Sequence, residues 1–68
     1  METFKIQGEY IQLNQLLKAL GWAESGGEAN VLIDSGKVKV NGVVELRRRN
    51  KIYSTFKVEF DSKIVTIQ

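Results

Sequence analysis

The stretch Ala29-Asn30-Val31-Leu32-Ile33-Asp34-Ser35-Gly36-Lys37-Val38-Lys39-Val40-Asn41-Gly42 decides the fold. In its first half Ala29, Leu32 and Ile33 fall at i, i+3 and i+4, on one face of a helix that Gly36 ends. The second half alternates, so a strand would turn Val38 and Val40 to the core and Lys37, Lys39 and Asn41 to the opposite face. Asn41-Gly42 is the pair favoured in a type I′ turn, because both residues tolerate positive φ, and Val43-Val44 starts a returning strand.

Upstream, Ser25-Gly26-Gly27-Glu28 supplies a start for this helix. Ser25 accepts from the free amides of the first turn, and Glu28 reaches back to the Ser25 amide in a capping box. From Tyr10 the chain takes a helical period: Leu13, Leu16, Leu17 and Leu20 share one face, and Gly21 can close the helix in the left-handed conformation. So short a connection requires the two helices to pack closely on each other. Thr3-Phe4-Lys5-Ile6 alternates as a short strand that Gly8 breaks. Downstream, Lys51-Ile52-Tyr53, Phe56 to Phe60 and Lys63 to Ile67 read as strands, with Asp61-Ser62 as a tight turn. The expectation is an α+β fold of two packed helices against a small, mostly antiparallel sheet.

With 68 residues the chain supports one domain, spanning 1–68, and a domain of this size buries only about 60% of the surface its unfolded form exposes. Cysteine and histidine are both absent, which excludes disulfides, thiolate or imidazole metal sites, and His- or Cys-based nucleophile systems. Carboxylates are dispersed and no Gly-x-x-x-x-Gly-Lys loop is present, so neither an enzyme nor a cofactor is expected. No apolar run approaches the ~20 residues of a membrane span, and Met1-Glu2-Thr3-Phe4-Lys5 has no signal pattern. A soluble, cytoplasmic, monomeric domain without membrane association is the expectation.

Net charge is only +2, but it is unevenly placed. Lys37, Lys39, Arg47, Arg48, Arg49 and Lys51 crowd one segment that holds a single acid, Glu45. The remaining four bases are scattered among seven acids. A neutral body with one basic segment is an electrostatic footprint for a polyanion. A solvated charged loop is the plain alternative, and charge alone does not separate the two.

The Ala29–Gly42 stretch resembles the S-four RNA-binding domain, the family built on the αL motif. Its pattern, Ala-x-x-Leu-Ile-x-x-Gly-x-Val-x-Val-Asn-Gly, is matched at every defined position. Leu13, Leu17, Gly21 and Ser25 match the family's first helix and serine cap, so the resemblance runs from Tyr10 to Tyr53. Within the family, Ser25–Ala29 and the three arginines look like the small stand-alone YbcJ/YaaA-like group. The chain departs from the family in three places. Gln12-Leu13-Asn14 stands where Arg-Leu-Asp is common, Gly26 where an arginine follows the serine, and Thr55-Phe56 where Gly-Asp precedes the last strands. The resemblance implies binding of structured RNA, ribosomal or transfer RNA, with the ribosome as a possible destination. Catalytic domains that accompany other members are not expected in this chain.

The candidate contacts form four groups. Ser25, Gly26 and Gly27, with Asn30 one turn on, open a helix whose exposed amides attract phosphate; a tight interhelical turn is the simpler role for the glycines. Lys37 and Lys39 would neutralise phosphates, and Asn41 would touch a sugar or base edge unless it is only a turn residue. Arg47, Arg48, Arg49 and Lys51 offer planar forks and charge, although adjacent side chains in extended chain cannot all face one ligand. Gln12 and Asn14 are polar candidates at the first helix. Tyr10 and Trp22 could stack on an unpaired base, but Trp22 lies between packed helices and suits the core; Phe4, Tyr53, Phe56 and Phe60 read as packing residues.

These features converge on an RNA-binding protein that recognises phosphates and helical shape. Two alternatives stay open. A duplex DNA-binding protein would use the same basic surface, and a protein-interaction module would centre on an exposed apolar patch and tolerate high salt.

Overall fold

The computed structural model describes residues 2–68. The elements follow the chain as β1 (Glu2–Phe4), β2 (Tyr10–Gln12), α1 (Leu13–Ala19), α2 (Gly26–Asp34), β3 (Val38–Val40), β4 (Val43–Val44), β5 (Lys51–Tyr53), β6 (Lys57–Phe60) and β7 (Lys63–Ile67). Five strands form one sheet in the order β1-β7-β6-β3-β4, antiparallel except for the parallel β1–β7 pair. β2 and β5 form a separate antiparallel ribbon. The α+β arrangement with two helices and a mostly antiparallel sheet is therefore what the chain adopts.

The strands differ from the sequence expectation at the chain start and at β2 and β5: β1 spans Glu2–Phe4 rather than Thr3–Ile6. The helical period was read from Tyr10, yet Tyr10–Gln12 is a strand and the helix begins at Leu13. The residues before Leu13 find ladder partners in Lys51–Tyr53, with Tyr10 opposite Tyr53, Ile11 opposite Ile52 and Gln12 opposite Lys51. For the same reason β5 does not join the run of C-terminal strands. Periodicity cannot reveal this pairing, because it links segments about forty residues apart.

The leucine face works as expected. Leu13, Leu16 and Leu17 are fully buried with Ala29 and Ile33 of α2, Val38 of β3, Ile52, Val58 and Val65. Leu20 and Leu32 pack against this cluster from its margin. Trp22 is buried at 8% exposure, its ring 6.2 Å from that of Phe60, which settles it as a core residue. Side chains of this size contribute roughly 1.5–3 kcal/mol each when fully buried. A seven-residue helix such as α1 would not persist alone in water, so this packing holds it.

Both helices end in the same way. Beyond α1, the Trp22 amide donates to the Leu17 carbonyl (3.0 Å) and the Gly21 amide to Lys18 (3.0 Å), with Gly21 at φ +76°. Beyond α2, Lys37 donates to Leu32 (3.4 Å) and Gly36 to Ile33 (3.0 Å), with Gly36 at φ +77°. These are Schellman closures, which satisfy last-turn carbonyls and reverse the chain. At the start of α2 the Ser25 hydroxyl accepts from the Glu28 amide (3.1 Å). The predicted reciprocal bond, from the Ser25 amide to the Glu28 carboxylate, does not form among the described residues: only half of the capping box is made.

The hairpin turns are as read. Asn41 and Gly42 stand at φ +53° and +84° between the paired Val40 and Val43. Asp61 and Ser62 stand at +50° and +66° between Phe60 and Lys63. Thr55, at φ +75°, is different, because a β-branched residue is strained there. Its amide donates to the Ile67 carbonyl at 2.7 Å, which holds the strained loop against β7.

Two opposed effects on stability follow. Gly36→Ala places a Cβ in ordinary contact with Val44 (3.8 Å), so its cost is conformational, about 1 kcal/mol. Thermal unfolding should show this as a loss of roughly 4–8 °C. Thr55→Gly should raise stability by about 0.5–1 kcal/mol by releasing the left-handed strain. A lower unfolding temperature for Thr55→Gly would mean that the threonine side chain contributes more than its backbone costs.

Candidate nucleic-acid interface

The basic segment leaves the main sheet after β4. The Glu45 amide donates to the Val38 carbonyl (3.0 Å), which extends the β3–β4 pairing to the point where the arginine loop begins. The loop closes on itself through the Asn50 amide and the Arg47 carbonyl (3.2 Å), then runs into β5. Its backbone is anchored on the first turn of α1. The Leu13 amide donates to the Asn50 carbonyl (2.9 Å), and the Asn14 amide to the Arg48 carbonyl (3.0 Å). Gln12, at the N-cap of α1, offers no side-chain cap. The loop thus satisfies helix-start amides that the local sequence leaves open.

Beside this anchor lie two of the polar candidates. Asn14 accepts from the Gln15 amide (2.8 Å) and donates through Nδ2 to Oδ1 of Asn30 (3.2 Å), joining the two helices. Both asparagines are half-buried. Gln12 shares the outward face of the β2–β5 ribbon with Lys51, its register partner.

Two of the three arginines meet acids. Arg47 engages Glu45 through Nε (3.0 Å) and Nη2 (3.2 Å), while Glu45 also accepts from the Arg47 amide (3.0 Å). Arg48 reaches Asp34, in the last turn of α2, by a bidentate fork whose Nε–Oδ1 arm is 3.0 Å. These bonds hold the Asp34 and Glu45 carboxyls below the ordinary carboxylate range, chiefly by hydrogen bonding to the charged form, and raise the values of both arginines. Both pairs therefore stay ionised at neutral pH. With Arg48 and Asp34 about half exposed, such a pair adds little to stability; its effect is to orient the guanidinium. Arg49, Lys51, Lys37 and Lys39 have no carboxylate within ion-pair distance among the described residues.

The candidates do not form the single strip expected from the start of α2 across the lysines to the arginines. The loop docks at the C-terminal end of α2, through Asp34, whereas Ser25, Gly26 and Gly27 lie at the other end. Nine residues separate the two ends by about 13 Å of helix. Val38 and Val40 face the core, so Lys39 projects from the opposite face of the sheet, with Glu59 as its register neighbour. Lys37 borders a hollow with Phe60 and Asp61. Asn41 is held in its turn by a reciprocal pair of bonds: its Oδ1 accepts from the Lys57 amide (2.9 Å), and its own amide donates to the Lys57 carbonyl (2.7 Å). What the fold does bring together is Gln12, Asn14, Asn30 and the Arg47–Lys51 loop.

Two residues enter this neighbourhood that the sequence reading left out of it. Asp34 is fourteen positions from Arg48, and nothing local announces the pair. Tyr53, read as a packing residue, is 40% exposed. Its placement was legible in the alternation of Lys51-Ile52-Tyr53, which turns Ile52 inward and its neighbours outward. Among the described residues no group of acids could hold a metal ion, and no helix is long and apolar enough to cross a membrane.

Comparison with known proteins matches the chain and its fold. The S4 domain model covers residues 4–68. The protein YbcJ of Escherichia coli (strain K12) is 41% identical over 68 residues, which span 98% of this chain and 97% of that protein. YbcJ of Shigella flexneri gives the same figures. The solution structure of YbcJ from Escherichia coli, which reveals an αL motif involved in RNA-binding, superposes with a TM-score of 0.74 at 41% identity, covering 98% of this chain and 86% of that one. With the motif of Ala29–Gly42, the fold and the family match agreeing along nearly its whole length, the chain belongs to the S4 domain family.

Proposed function

We propose that this chain binds structured RNA, ribosomal or transfer RNA, by phosphate and shape contacts centred on the Arg47–Lys51 loop. The observation that carries this reading is the double anchoring of the loop's backbone on α1 through Leu13 and Asn14. Charges on a free loop would lose conformational entropy on meeting a ligand, whereas these are already held in place. The involvement of the YbcJ αL motif in RNA-binding supports the same conclusion.

Arg49 and Lys51 are open to phosphate at once. Arg48 is oriented by Asp34 and presents its remaining donor edge. Gln12, Asn14 and Asn30 supply polar contacts at the base of the loop, suited to the 2′-hydroxyls that an RNA helix displays in its shallow groove. Lys37, Lys39 and Asn41, and the Ser25-Gly26-Gly27 turn, would add contacts only to an RNA large enough to reach beyond the loop. The role is binding rather than catalysis.

The test is affinity for a folded ribosomal RNA fragment, a matched DNA duplex and single-stranded RNA, each across a salt series. Folded RNA should bind best, with affinity falling steeply as salt rises. Arg49→Gln should weaken binding and reduce the logarithmic salt slope by about one. Asp34→Asn should strengthen binding, because it removes a negative charge beside the phosphate site while its amide oxygen still accepts from Arg48 and keeps the guanidinium oriented. Equal affinity for the DNA duplex would point to a duplex DNA-binding protein. Binding that ignores both salt and these substitutions would remove the loop from the interface.

A further inference from the structure

On the β2–β5 ribbon the register puts Tyr10 directly opposite Tyr53, one step from the Gln12–Lys51 pair, so all four side chains share a face. The other face is apolar: Ile52 is fully buried and Ile11 packs against the core. A ribbon with one face on the core normally turns polar residues outward, but here the outward pair is aromatic. Tyr10 and Tyr53 remain 38% and 40% exposed, with ring centroids 5.8 Å apart. Neither phenol has a hydrogen-bond partner among the described residues, so their polar tips do not explain the position.

The surroundings specify what such a surface would take. Phe56 packs against the Tyr53 ring (centroids 5.8 Å apart, planes inclined at 62°), and Tyr10 supports it across the ribbon. Lys51 extends its ammonium over the Tyr10 ring at 4.9 Å, which leaves it near the pair without an ion-pair partner. Tyr53 then forms one wall of a hollow of about 420 Å³ whose other walls are Arg47, Arg49, Asn50 and Lys51. An aromatic wall and a cationic wall in one open hollow match the two parts of a nucleotide, a flat base and a phosphate.

We propose that Tyr53, backed by Tyr10, is a stacking site for the base of an unpaired nucleotide whose phosphate is held by Arg49 and Lys51. The ligand is then a helix bordered by single-stranded nucleotides, not a helix alone. This deepens the RNA-binding reading and rests on it: the arginine loop holds the backbone, and the ribbon selects for an extruded or terminal base.

The experiment compares an RNA stem-loop carrying a short unpaired extension with the same stem made blunt, with 2-aminopurine placed in the extension. The wild-type chain should bind the extended RNA more tightly and quench the 2-aminopurine fluorescence. Tyr53→Leu should lose roughly tenfold in affinity for the extended RNA, lose the quenching, and lose much less affinity for the blunt stem. Tyr53→Phe, which keeps the ring, should restore both, and Tyr10→Leu should show a smaller loss of the same kind. Circular dichroism of each variant checks that the ribbon still folds. Equal wild-type affinity for the two RNAs, or an equal loss on both in Tyr53→Leu, would overturn the stacking site while leaving the RNA-binding reading intact. Failure of the wild-type chain to bind either RNA would overturn both.

Discussion

The two bonds from the Leu13 and Asn14 amides to the carbonyls of Asn50 and Arg48 are the constraint on which the rest depends. They join the first turn of a seven-residue helix to a loop more than thirty residues downstream. The helix needs them, because Gln12 supplies no side-chain cap and unpartnered amides at a packed helix start are costly. The loop needs them equally. Four of its five residues from Arg47 to Lys51 are cationic and repel one another, so without an anchor it would spread into solvent. Pairing of β2 with β5 follows directly, since Gln12 adjoins the anchored helix start and Lys51 adjoins the anchored loop.

A second consequence is electrostatic. Docking the loop on α1 brings Arg48 within reach of Asp34 at the end of α2, an exposed pair of small energetic weight. Its effect is to divide the cations. Arg47 and Arg48 are oriented by Glu45 and Asp34, while Arg49 and Lys51 remain open. The open pair lies where the loop enters the ribbon, and the ribbon's outward aromatics form the adjoining wall. Charge and flat apolar surface thus coincide because one anchored loop leads straight into one short strand.

Positive-φ positions define the remaining geometry, and they are not equivalent. Gly21 and Gly36 close both helices by Schellman motifs, and the closure beyond α2 delivers the chain directly into β3. Thr55 adopts the left-handed region without that freedom. The bond from its amide to Ile67 and the burial of Ile67 show how the surrounding sheet compels the turn.

Much of this was legible in the residues. The leucine face, the helix-ending glycines, the serine cap, the Asn41-Gly42 and Asp61-Ser62 turns and the alternation of Val38 and Val40 are local signals, and each appears where it was read. Local pattern failed for Tyr10–Gln12, whose strand character comes from a partner far along the chain. It failed again for Arg48, whose acid lies on another element, and for the expected continuity between Ser25–Gly27 and the arginines, which the length of α2 interrupts. The sequence by itself determined the elements, their ends and the concentration of positive charge, because these follow from spacing and from the backbone freedom of single residues. Only the tertiary structure decided which cations are paired, which polar groups gather under the loop and where the aromatic pair faces, because those depend on contacts between segments that no local periodicity relates.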